Sequence, residues 1–215
     1  MLNNLFSAEV LQETLSIVQG QFLLAFWETL YVTIAAMFFA VVIGLPLGVI
    51  LVVGEKGGLA PLPGWLMKTI NVIINLLRSV PFLILMILLV VAAFPFVARL
   101  VESSLRELNP NIIEMSRSMG ASPMQTIIKV MIPEAMPSLI SNATIAITTI
   151  LGYTAMSGIV GGGGLGKIAI NYGYYRYKYL VMLLAVILLI VIVQVFQSVG
   201  THLSVKLDKR LKQNH

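Results

Sequence analysis

Not one charged side chain occurs between Leu180 and Gly200, and a second apolar stretch, Phe22 to Val53, is interrupted only by Glu28. Runs of this length match what a hydrocarbon core about 30 Å thick asks of a crossing helix. In lipid every backbone N–H and C=O must be satisfied within the segment, so such runs fold as helices. The composition agrees: of 215 residues, 58% are apolar and 11% charged, with a mean hydropathy of +0.95. Soluble domains are nearer a quarter charged. The expected fold class is all-α, a polytopic membrane protein with one transmembrane domain over residues 1–215 and room for four or five spans. The chain has no cysteine, which excludes disulfides, thiolate metal sites and thiol nucleophiles. Residues 1–20 carry Glu9 and Glu13 and no basic residue, and so read as a surface helix rather than a secretory signal.

The net charge of +5 comes from Lys and Arg spread singly or gathered at the C-terminus, a pattern of positive-inside topology rather than nucleic-acid binding. No Lys or Arg precedes Lys56. The N-terminus is therefore expected outside and the Gly54–Gly58 loop inside. Lys68, Asn71, Asn75 and Arg78 recur every three or four residues, which predicts a helix from Trp65 to Arg78 with one polar stripe along the cytoplasmic interface. A charge-free span follows from Ser79 to Ala98, bracketed by Pro81 and Pro95. Another runs from Met136 to about Val160, and the last from Leu180 to Gly200, before a basic cytoplasmic tail, KLDKRLKQ. Four spans return both termini to one side, whereas the charge bias places them on opposite sides. The conflict centres on Ser79 to Leu105, where two crossings would need roughly 40 residues.

Between these spans lies a polar region, Arg99 to Glu134, too charged for lipid. Within it, Asn109 and Pro110 form an N-cap and N1 pair, and Gly120 is a natural stop, so a short helix is expected from Pro110 to Met119. Ser122, Pro123 and Gln125 repeat the start signal as a capping box. Met124, Ile127, Ile128 and Met131 then form one apolar stripe, and Pro133 is expected to end the second helix. Two amphipathic helices about a glycine elbow suit either a connector resting on lipid headgroups or a helix offered to a groove on a soluble partner.

The order E-x-x-R-x-x-G-A-S-x-x-Q followed by V-x-x-P-E-A, from Glu114 to Ala135, resembles the EAA loop of ABC importer permeases. From about Phe22 onward the chain resembles the permease subunits of methionine importers: RSVPF at Arg78–Phe82, PFVARLVE at Pro95–Glu102, and GYTAMSGIVGGGGLGKIAINYGY at Gly152–Tyr174. That resemblance implies about five spans, of which four are clear here. It also implies a chain contracted between Leu89 and Ala93, where the family holds an external loop and part of a span. The implied activity is methionine import into a bacterial cell across its plasma or inner membrane, driven by ATP and Mg held on a separate cytoplasmic ATPase dimer, with no cofactor in this chain. Implied partners are a second permease copy, the ATPase and an extracytoplasmic binding protein. The implied coupling segment is about 106–135, with Glu114, Arg117, Gly120, Ala121, Ser122, Gln125, Pro133, Glu134 and Ala135 at the ATPase. A permease for another amino acid or small polar solute, or a truncated non-transporting variant, stays open.

Tyr153, Thr154, Met156 and Ser157 place small and polar groups in an apolar helix, which fits helix packing or a pathway for a thioether side chain; the resemblance favours the pathway. Gly161–Lys167 spells G-x-x-x-x-G-K, but Ile168 stands where a phosphate loop needs Ser or Thr, and no strand precedes it. A flexible turn or a close helix contact accounts better for the glycines. No span pairs acids or an acid with histidine, so a proton relay is not expected. Ser141 and Ser157 have no nearby His or Lys for an intramembrane hydrolase, and His202 and His215 lack metal-ligand company. The tyrosines at 172, 174, 175, 177 and 179 read as an interfacial belt, and the methionines as gap-fillers.

Overall fold

A computed structural model describes residues 7–80 and 89–208, apart from the side chains of Ser157 and Val160. Pro81 and Phe82 of the RSVPF motif, His215 and most of the basic tail lie outside the described residues. The elements are α1 (Ala8–Val53), α2 (Gly64–Ser79), α3 (Leu89–Arg106), α4 (Pro110–Ser118), α5 (Pro123–Met156), α6 (Gly164–Ile168) and α7 (Tyr179–Leu207). No strand occurs among the described residues. Three of these helices, α1, α5 and α7, are long and apolar enough to cross a membrane. Their apolar side chains remain largely exposed, Leu23 at 70% and Val195 at 55% among them, as expected of helices whose solvent is lipid.

Three helix boundaries differ from expectation. The surface helix at the N-terminus is not a separate element: Ala8–Ile17 passes through a π turn, Val18–Phe22, straight into the first span. Pro133 does not end the second coupling helix. A π turn at Ile127–Met131 precedes it, and helix continues from Ile132 to Met156. Proline removes one amide and crowds the carbonyl four residues back, and a widened turn is one way a helix absorbs such a residue. The same turn breaks the expected single stripe, since Met124 and Ile128 are exposed while Met131 is buried. Finally, α3 runs through Pro95 and past Ala98 to Arg106.

The chain divides into two compact units, residues 1–36 with 147–196, and residues 37–146 with 197–215. In the first, Phe22, Leu151, Leu165, Ile168, Val181 and Ala185 form a buried core. Tyr172 belongs to this packing rather than to a lipid-facing belt: its hydroxyl accepts from Gln21 at 2.8 Å, and Arg176 lies over its ring. Tyr174, Tyr175, Tyr177 and Tyr179 are exposed.

In the second unit, α1 and α3 meet through Gly44 and Gly48, one turn apart. A Cβ at Gly48 would stand 2.6 Å from Val101 and 2.7 Å from the Ala98 carbonyl. Small residues at this spacing let two helix backbones approach closely. Beside this contact, Arg99 donates to Asn71 at 2.8 Å, to Asn75 at 2.9 Å and to Glu102 at 2.6 Å. Two members of the polar stripe on α2 therefore serve an arginine of α3. Arg106 closes the network on Glu102 at 2.9 Å and on Glu55 at 3.0 Å. Glu55 first, and then Glu102, raise the Arg106 guanidinium above its ordinary value.

Candidate functional site

Asn109 caps α4 as its sequence suggests, its side chain accepting from the Asn111 amide at 3.0 Å with Pro110 at the first helical position. Gly120 then turns the chain with φ +79°, and a Cβ there would meet open space. Glycine is needed at this elbow for its backbone angle, not for room. The elbow also closes hydrogen bonds from Gly120 N–H to the Arg117 carbonyl and from Ala121 N–H to the Ser116 carbonyl. Ser122 forms a complete capping box, accepting from the Gln125 amide at 3.3 Å while its own amide donates to Gln125 Oε1 at 2.9 Å.

Sequence reasoning missed what joins the two helices. Ser116 and Thr126 are both buried, their hydroxyls 3.0 Å apart, and Thr126 donates onward to the Ser122 carbonyl. Either hydroxyl can donate in this pair. Two small hydroxyl residues ten positions apart were the only sequence signal.

The implied coupling residues separate by exposure. Glu114, Arg117, Gly120, Ser122, Gln125 and Pro133 are exposed, Ala121 and Glu134 are half-buried, and Ala135 is buried. Glu114 and Arg117 line a cleft of about 220 Å³ with Gly57, Gly58 and Met131. Glu134 and Ala135 line another of about 410 Å³ with Ser104, Glu107 and Ser138. Around the exposed polar groups stand Met115, Met119 and Met124, at 60%, 80% and 63% exposure. These are not gap-fillers, as Met131 is. Exposed methionines form adaptable docking surfaces.

In the first unit, the residues implied for the pathway take different positions. The Thr154 side chain is buried, donates to the Leu151 carbonyl at 2.8 Å and lies 3.4 Å from Thr33. Tyr153 is half-buried and Met156 is 42% exposed. The glycine run that follows does receive an acidic side chain at the start of a helix, and that side chain is the chain's own. Gly164 N–H donates to Glu28 Oε2 at 2.7 Å, and Leu165 N–H to Thr29 Oγ1 at 2.9 Å. Among the described residues, no three His, Cys, Asp or Glu side chains gather as metal ligands would.

Residues 24–209 match the family described as binding-protein-dependent transport system inner membrane component. The chain belongs to this family. A relative from Vibrio cholerae, named as a probable D-methionine transport system permease protein MetI, is 41% identical over 87% of this chain and 92% of its own length. The Escherichia coli K12 D-methionine permease MetI is 41% identical over 61% of this chain and 70% of its own. The fold is that of an ABC importer permease: one solved structure of the MetNI methionine ABC transporter in an inward-facing conformation matches with TM-score 0.86 and 38% identity. That match covers 89% of this chain and 98% of the other. The Vibrio alignment runs 210 positions, yet the 87% of this chain that it takes in is about 187 residues, so about 23 positions of that permease find no counterpart here.

Proposed function

We propose that this chain is the membrane-spanning subunit of an ATP-driven importer that carries methionine into the cell by alternating access. The observation that carries the reading is the exposed pair of capped helices about Gly120 in a chain 41% identical to a probable D-methionine permease. ATP is hydrolysed on a separate cytoplasmic ATPase dimer, and this chain supplies the surface that the motor moves. Glu114, Arg117, Ser122 and Gln125, with Met115, Met119 and Met124, face the motor, an amphipathic helix seated in a groove. Ala135, being buried, acts from behind by packing. A second copy of the chain completes the membrane core, and a binding protein delivers substrate from outside. The cell membrane is its place of work, and residues 1–215 act as one permease domain with the coupling segment at about 106–135. Tyr153, Thr154, Met156 and Ser157 belong to the stretch along which the thioether passes, Thr154 by holding the helix in shape.

The test is uptake. Vesicles holding the permease and its ATPase, supplied with the binding protein, should accumulate labelled methionine only with ATP inside. The Gly120→Arg variant should insert normally and accumulate none. Equal uptake by the two would remove the coupling assignment. Insertion of the wild-type chain without any uptake would instead favour a non-transporting variant, to which the positions absent from the alignment give a physical basis.

A further inference from the structure

We propose that Glu28 and Thr29 are positioning residues for translocation: they clasp the glycine hairpin of residues 157–168 to the first helix and so hold the Tyr153–Met156 stretch that leads into it. The proposal rests on the transport reading above. An ionised carboxylate within an apolar helix is costly unless it is given a partner. Here the partner is the Gly164 amide at 2.7 Å. Beside it, Thr29 accepts from the Leu165 amide and donates to the Ala25 carbonyl at 2.8 Å. Its hydroxyl is thereby aimed by its own helix.

The glycines make sense as the other half of the clasp. A Cβ at Gly163 would lie 2.5 Å from Glu28 Oε2, and one at Gly164 would lie 2.6 Å from Thr29 Oγ1. Gly164 also has φ +84°, where a side chain is strained. The hairpin is closed on itself by the same means, since a Cβ at Gly158 would stand 2.6 Å from the Lys167 amide and one at Gly166 would strike the Ala155 carbonyl. Residues 155–167 are therefore one tightly crossed piece, and two adjacent amides connect it to α1. Moving residues 155–167 away from α1 as one piece breaks both bonds.

The experiment compares Glu28→Leu, Glu28→Gln and Thr29→Val with wild type in vesicles holding the ATPase and supplied with the binding protein, measuring methionine carried per ATP hydrolysed. Glu28→Leu loses the acceptor, and its ratio should fall by about tenfold or more while ATP hydrolysis continues. Glu28→Gln keeps an oxygen for Gly164 and should stay within about threefold of wild type. Thr29→Val should fall between them. A wild-type ratio in Glu28→Leu or Thr29→Val overturns the clasp, as does a parallel loss of hydrolysis and uptake. Amide hydrogen exchange of the purified permease reads the clasp without transport: the peptide covering 161–168 should exchange about tenfold faster in Glu28→Leu than in wild type. Equal exchange overturns the clasp even if the wild-type chain moves no methionine, and faster exchange supports it even then.

Discussion

The Ser116 and Thr126 hydroxyls lie 3.0 Å apart, and this buried hydrogen bond joins the helices on either side of the Gly120 elbow. A surface that transmits motion has to move as one body. This bond, with the elbow and the two caps, ties the two helices together, as the proposed coupling role requires.

Removing both partners should cost less than the two single removals added together. Thr126→Val leaves the buried Ser116 hydroxyl without its partner and should destabilise the protein by about 1–3 kcal/mol, whereas the double variant Ser116→Ala with Thr126→Val should be milder than the two singles added. Thermal unfolding in detergent, followed by circular dichroism, checks this double-mutant cycle.

Gly120→Ala should cost roughly 1–2 kcal/mol, because φ +79° is the left-handed region and L-residues pay for it there. Gly120→Asn should cost less, since asparagine tolerates that region. The open space about the glycine means that size alone adds nothing in the isolated permease. Unfolding of the same protein in detergent separates backbone strain from any loss of ATPase binding, which a pull-down measures.

Glu102 is nearly buried between Arg99 and Arg106, while Glu55 is about half exposed. Glu102→Gln leaves Arg99 without its counter-charge while Arg106 keeps Glu55, and should destabilise by about 1–3 kcal/mol; Glu55→Gln should cost less than about 1 kcal/mol. The folded state raises Arg106, so its contribution is fully present below the unfolded value and is lost only as pH rises through the folded one. Because arginine titrates above about pH 12, this pair should contribute no slope to the unfolding midpoint between about pH 6 and 9.

Gly48→Leu should separate α1 from α3, since even a Cβ would be too close to Val101 and the Ala98 carbonyl. Overpacking of this kind costs about 1–3 kcal/mol or more. The variant should accumulate at a lower level in membranes than Val42→Leu, which alters an exposed position on the same helix. Quantitative immunoblotting of membrane fractions measures both.

The parts of this structure that sequence made legible are the local ones. Asn109, Ser122 and Gln125 satisfy amides within three residues of themselves, so their spacing alone announces the caps. The apolar runs announce α1, α5 and α7 for the same reason. What was hidden depends on partners distant in sequence. Glu28 and Gly164 are 136 positions apart, and neither gives any local sign of the other. Arg99, read as one of several charges marking a polar region, is instead held by Asn71, Asn75 and Glu102. Pro133 misled because a π turn lets the helix pass it, and Ala135, part of the motif, lies in the packed interior.

Asn109 to Ala135 is proposed to meet a motor on the cytoplasmic side, and the sidedness of Met119, 80% exposed at the elbow, tests this directly. Because the chain contains no cysteine, Met119→Cys provides a single thiol. In intact cells it should resist a membrane-impermeant maleimide and react once the membrane is opened, or in inside-out vesicles. Labelling from the outside of intact cells would contradict the account, because no cytoplasmic ATPase could then reach the segment.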